Sequence, residues 1–214
     1  MFDNQISTVT FKDTSYSTTT SLEVTLTIAL DDINSIALFS LVGFSVRVQS
    51  ISPSPSYDTT ITLNGATEAL FIDLPTLTNG DSIKITITAS IGTFATCGYV
   101  VAGMLIEIGT MEYGATADII DYSTKTTSVT GMTTFVRRGF SKRMNCRLML
   151  TNSQINDIYI YLAAIRSTPC AWIGFPTDLD YAHLSIIGFY KSFSMEIAYT
   201  NHSFCTLEIE GLSQ

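Results

Sequence analysis

Short runs in which apolar and polar residues alternate one by one constrain this chain more than any other feature. In LEVTLTIAL, the residues Leu22, Val24, Leu26, Ile28 and Leu30 alternate with Glu23, Thr25, Thr27 and Ala29. That two-residue period sends one set of side chains to a buried face and the other to solvent. Ile83, Ile85 and Ile87 alternate in the same way with Lys84, Thr86 and Thr88. Asn64-Gly65 and Asn79-Gly80 punctuate the runs ITLNGATEALFIDL and LPTLTNGDSIKITITAS. Both pairs accept positive φ at little steric cost and so predict tight hairpins. A sheet with one apolar face must bury it against a second layer. Residues 1–108 are therefore expected to form an antiparallel meander folded into a β-sandwich or jelly-roll-like domain.

Residues 109–214 are expected to form a second, small α+β domain with one main helix. The passage GTMEYGATADIIDYSTKTT is rich in Gly and Thr and reads as a segment joining the two modules. In the next stretch, RRGFSKRMNCRLML, Cys146, Leu148 and Leu150 alternate with Arg147 and Met149, so this stretch enters a strand. TNSQINDIYIYLAAIRSTP carries the helix signal, because Ile155, Ile158, Leu162 and Ile165 recur at helical spacing. Asn152 or Ser153 is the expected N-cap and Pro169 the expected stop. A helix from Ser153 to Arg166 would be about 20 Å long. HLSIIGFYKSFSMEIAY and SFCTLEIEGL close the chain as strands, the last with Cys205, Leu207 and Ile209 inward and Thr206, Glu208 and Glu210 outward.

With 214 residues, 46% of them hydrophobic and 14% charged, the chain can bury roughly 70% of its unfolded surface in a real core. Its opening, MFDNQISTVTFKD, shows no basic region followed by an apolar run, so no secretory signal is read there. The most apolar stretches, SIALFSLVGFSVRV and YVVAGMLIEIG, fall short of the ~18–20 residues of a spanning helix, and no membrane insertion is expected. Cys97, Cys146, Cys170 and Cys205 are far apart, with no C-x-x-C pair, and His183 and His202 are the only histidines. That pattern fits reduced, mostly buried thiols better than a metal site or a disulfide framework. Ser203 beside His202 lacks an orienting third group, and Asp178 and Asp180 in FPTDLDYAHL lack calcium-loop spacing. No phosphate-binding glycine loop is present. No catalytic, metal-binding or cofactor-binding residue is assigned.

Five cations, Arg137, Arg138, Lys142, Arg143 and Arg147, crowd one stretch of a chain whose formal net charge is −8. Nucleic acid would explain them through phosphate contacts, with Phe135 and Phe140 as stacking platforms. The acidic remainder of the molecule opposes that reading, because the field of the whole protein repels a polyanion. Solvated edge protection is a second explanation. An acidic protein partner fits best, since Arg is favoured at interfaces and an acidic copy of the same chain is a complementary neighbour. Arg137, Arg138, Lys142, Arg143 and Arg147 are therefore the candidate subunit interface.

MLIEIGTMEYGATADIIDYSTKTT, VRRGFSKRMNCRLML, AAIRSTPCAWIG, IIGFYKSFSMEIAY and SFCTLEIEGL, in that order, resemble the C-terminal region of a group of tail structural proteins from tailed bacteriophages and related prophages. The likeness runs from about Gly103 to the end. MFDNQISTVT and VRVQSISPSPSYDTTI also resemble the β-rich module that precedes that region in the group. Members often have further sequence ahead of the Met-Phe-Asp, and receptor or sugar contacts of longer members are carried over to no residue here. The resemblance implies a virion protein of the tail tip, baseplate or fibre junction, without catalysis, present in the host cytoplasm during assembly. Its implied partners are other phage tail proteins and copies of itself, ringed about the tail axis. The alternative is a carbohydrate-binding sandwich recognising host surface glycans, with Trp172, Tyr181 and Tyr190 as stacking aromatics.

Overall fold

The computed structural model describes residues 10–12, 21–29, 31–52, 57–175 and 179–213; Leu30 and Asp178 lie outside them. The fold is mainly β, with antiparallel sheets and one α-helix among the described residues. The chain is organised as two compact units, Met1–Ile106 and Glu107–Gln214.

The first unit contains β1 (Thr10–Lys12), β2 (Ser21–Thr27), β3 (Ser35–Phe39), β4 (Ser45–Ser52), β5 (Asp58–Thr62), β6 (Ala69–Phe71), β7 (Ser82–Thr88), β8 (Ala95–Cys97) and β9 (Tyr99–Gly103). They form a four-stranded sheet ordered β2-β7-β4-β5, a three-stranded sheet ordered β6-β3-β9 and a β1-β8 pair. The alternation seen in the sequence becomes cross-strand pairing, with Leu22 opposite Ile87 and Val48 opposite Ile85. Leu22, Val46, Val48, Ile83, Ile85 and Ile87 from the larger sheet and Ile36, Leu38, Ala69 and Phe71 from the smaller one feed a single hydrophobic core. Each of the larger side chains contributes roughly 1.5–3 kcal/mol when fully buried.

The expected hairpins at the two Asn-Gly pairs are corrected by the topology. Positive φ does occur at Asn64 (48°), Gly65 (88°) and Gly80 (97°). Yet the first pair lies between β5 and β6 and the second between β6 and β7, and β6 belongs to the other sheet. The chain thus crosses between sheets at both places, and β4-β5 is the one sequential hairpin within these two sheets. Asn-Gly supplies a cheap turn but does not choose the next strand's partner; burial of Ala69 and Phe71 against the other sheet does. The expected simple meander is replaced by a crossed connectivity.

The second unit contains β10 (Thr110–Met111), β11 (Thr116–Asp121), β12 (Thr124–Thr127), β13 (Thr133–Val136), β14 (Phe140–Thr151), α1 (Ile155–Ala164), β15 (Cys170–Ile173), a 3-10 helix (Leu179–Leu184), β16 (Ser185–Glu196) and β17 (His202–Gly211). Its main sheet runs β10-β14-β17-β16-β15, with β11 also paired to β14. The Gly- and Thr-rich passage expected to be a connector therefore supplies β10, β11 and β12. It lacks a strand signature because it lies at the sheet edge and beyond it, where no apolar alternation is needed.

Met144, Cys146, Leu148 and Leu150 of β14 and Cys205, Leu207 and Ile209 of β17 point inward, and α1 buries Ile158 and Leu162 in the same core. The Tyr190 hydroxyl donates to the Leu162 carbonyl at 2.8 Å, tying helix to sheet. Gly188 and Gly211 face each other across β16 and β17. A Cβ on Gly188 would come within 2.1 Å of the Glu210 carbonyl oxygen, so close backbone approach requires glycine there.

The helix begins later than its expected cap. Gln154 occupies the N-cap position with no side-chain cap bond. Asn152 is engaged elsewhere: its amide donates to the Tyr199 and Thr200 carbonyls, and its side-chain oxygen accepts from Ser203. Ser153 pairs with the Thr151 hydroxyl. Neither expected cap caps the helix, because other bonds hold both side chains. At the other end the helix stops at Ala164, and Ser167 adopts a φ of 59° ahead of Pro169.

Candidate interaction surface

The structure separates the five clustered cations into groups with different surroundings. Arg143 Nη2 lies 2.7 Å from Asp118 Oδ2, and its Nη1 lies 3.9 Å from Glu208, so one guanidinium links β11, β14 and β17. The hydrogen bonds and charge of Asp118 hold Arg143 even more firmly in its charged form. Arg147 reaches Glu112 at 3.5 Å and Glu196 at 3.2 Å, and its guanidinium carbon sits 3.9 Å above the Phe204 ring. Exposed pairs of this kind contribute about 0–1 kcal/mol each. Their geometry places both arginines as clasps across their own sheet. Lys142, half-buried, stands opposite Ile119 in the β11–β14 register.

Arg137 and Arg138 differ. Both lie in the exposed segment between β13 and β14, and among the described residues neither forms an ion pair. The Arg138 backbone N–H donates to the Ser123 hydroxyl at 3.0 Å. The Asp121 carboxyl is held below its ordinary pKa mainly by the Ser123 hydroxyl and N–H, with a smaller contribution from the charge of Arg137.

These two arginines stand at the base of a hairpin that no alternation in the sequence announces. β12 pairs only with β13, in the register Thr124↔Val136 through Thr127↔Thr133. The Ser128 N–H donates to the Met132 carbonyl at 2.8 Å and closes the turn, where Gly131 takes a φ of 81°. The Tyr122 N–H donates to the Gly139 carbonyl, so the ladder of β11 and β14 leads into the hairpin. Every residue from Asp121 to Arg138 is exposed. Phe135, 71% exposed, lies opposite Lys125, whose ammonium is 5.6 Å from the ring centre. Val129, Met132 and Val136 are also exposed. A lone two-stranded hairpin without a buried face is marginal in water, and this one carries large apolar side chains that its own chain leaves uncovered. The available signal was TKTT and TTFV flanking a turn with Gly131, two β-prone runs without alternation.

The aromatic residues considered for sugar stacking are divided by burial. Trp172 is 6% exposed, donates through Nε1 to the Gly188 carbonyl and meets Tyr190 edge-on at 6.3 Å. Tyr190 packs against the same core. Trp172 is buried in the core that α1 shares with the sheet, and Tyr190 is half-buried against it. Tyr181 is 43% exposed, beside Phe175 with ring centres 4.7 Å apart.

Ser203 is buried and donates to Asn152 Oδ1 at 2.6 Å, while the His202 ring stacks on Tyr199 at 4.5 Å. As strand neighbours they face opposite sides of the sheet. All four cysteines are free thiols; Cys97, Cys146 and Cys205 are buried and Cys170 is half-buried. Burial pushes Cys97 and Cys146 up to about 11 and raises Cys205 and Cys170 as well. Among the described residues no group of three His, Cys, Asp or Glu side chains is placed to hold a metal, and no helix is long and apolar enough to cross a membrane. Comparison of the chain with protein-family models and with curated protein sequences gives no match.

Proposed function

We propose that this chain is a structural subunit of a bacteriophage tail, at the tip, the baseplate or the fibre junction, and that it works through subunit contacts without catalysis. The observation that carries the subunit-contact reading is the β12–β13 hairpin, exposed along its length and bearing uncovered apolar and basic side chains. The five ordered sequence blocks that resemble tail structural proteins supply the setting. We read the first unit as a two-layer sandwich, since its two larger sheets share one core. The glycan-binding alternative is weakened, because Trp172 is a core residue, Tyr190 is half-buried against the same core, and Tyr181 alone of the three aromatics is exposed. Mass spectrometry of purified tails, with antibody labelling in electron micrographs, tests the proposal. The chain should be present in stoichiometric amount at one end of the tail, and its absence from intact particles would overturn the reading.

A further inference from the structure

The distribution of charge along the chain bears on what meets the hairpin. From Tyr122 to Asn156 there is no Asp or Glu, and Lys125, Arg137, Arg138, Lys142, Arg143 and Arg147 all fall there, out of 11 Lys and Arg in the chain. All 19 carboxylates lie elsewhere, in company with the five remaining cations. Arg143 and Arg147 are engaged with their own sheet, which leaves the outer part of this basic segment, Lys125, Arg137 and Arg138, facing solvent. Apolar side chains surround those charges: Val129 and Met132 near the turn, and Phe135 and Val136 on β13. The hairpin thus combines hydrophobic contact, positive charge and two strand edges open to further pairing.

We infer that the β12–β13 hairpin is a docking arm whose occupant is an acidic surface on a second copy of this chain, with Arg137 and Arg138 supplying charge at its base and Val129, Met132, Phe135 and Val136 its apolar contact. A second copy is chosen because it carries the complementary charge in abundance. Like-charged bodies that would otherwise repel are joined where the one basic segment of each meets the acidic remainder of the next. Arm-to-body contact is heterologous: the surface that gives differs from the surface that receives. Repeated around an axis, such contacts close into a ring when the rotation permits. Edge protection alone explains the cations but not the uncovered valines, methionine and phenylalanine, which are a liability unless a partner covers them.

This inference deepens the tail-assembly reading by naming the partner of the same surface, and the two can fail separately. A monomeric chain found in purified tails overturns only the docking arm. A self-associating chain absent from tails overturns only the tail assignment.

The test is sedimentation velocity on the full chain over a wide concentration range, at about 0.1 M and about 1 M salt, where the screening length falls from roughly 10 Å to 3 Å. The wild type should associate reversibly, and more weakly at high salt. Arg137→Glu with Arg138→Glu should weaken association about tenfold or more. Met132→Ser with Phe135→Ser should abolish it. Both variants should keep the wild-type circular dichroism and unfolding temperature, which separates a lost contact from a lost fold. A wild type that stays monomeric throughout, or variants that associate as the wild type does, would overturn the inference. So would wild-type binding to a DNA duplex at physiological salt that the double charge reversal removes, since the arm's occupant would then be a nucleic acid.

Discussion

β14 and β13 are joined by three residues, yet they follow opposite rules. β14 buries Met144, Cys146, Leu148 and Leu150, and its outward arginines find carboxylates on neighbouring strands. β13 buries nothing: Thr133, Thr134, Phe135 and Val136 are all exposed. β13 is built wholly of strand-favouring residues (Thr133, Thr134, Phe135 and Val136) and β14 mostly of others, so the difference between them lies in environment and not in propensity. Regular alternation marks a strand that holds the fold together, because one face must be apolar and the other wet. A strand with large apolar residues and no buried face contributes little to its own unit's stability, and such surface is characteristic of contact with a neighbour.

That contrast can be broken or sharpened by substitution. The largest effect is expected at Gly188, where any side chain meets the Glu210 carbonyl. Gly188→Val should destabilise the second unit by more than about 4 kcal/mol, visible as loss of near-ultraviolet circular dichroism. Leu162→Ala, at a site with 0% exposure, should cost about 3 kcal/mol and lower the unfolding temperature by roughly 10 °C or more. Ionisation of Cys146 comes next. Its folded thiol titrates at about 11 against an ordinary 9.0, so the unfolded chain loses its proton first. Stability that is intact below pH 9 should be lost as pH rises through 11, by roughly 2–3 kcal/mol from this group. Denaturant midpoints measured against pH should fall less steeply in Cys146→Ala. The smallest effect on folding is expected in the hairpin: Arg137→Glu with Arg138→Glu should change stability by less than about 0.5 kcal/mol. A loss like that of Leu162→Ala would show that the hairpin belongs to the folding core after all.

What could be read from sequence followed from what burial imposes on it. The inward sets Cys146, Leu148, Leu150 and Cys205, Leu207, Ile209 were legible because a two-residue period leaves a trace in composition, and the structure buries each of them. The helical stripe at Ile158 and Leu162 was legible for the same reason, with a different period. The cap was not, because Asn152 meets residues 199–203 only after the chain folds back. The connectivity around Asn64-Gly65 was hidden likewise, since a turn signal is local and strand partnership is not. The hairpin leaves the weakest trace: strands exposed on both faces need no pattern, so β12 falls within the passage that reads as a connector and β13 carries no alternation. Of the basic cluster, crowding could be seen in sequence. Which arginines are clasped by Asp118, Glu112 and Glu196 depended on strand register.

Hydrogen exchange on the full chain, at a dilute and a concentrated setting, tests most directly whether one region folds the protein and the other joins it to its neighbour. Amides of β14 and β17 should be protected at both concentrations, because their ladder is buried beneath α1. Amides of β12 and β13 should exchange quickly when dilute and become protected when concentrated, as a second copy covers them. Hairpin amides protected like those of β14 in the dilute sample, or equally unprotected at both concentrations, would contradict that division of roles.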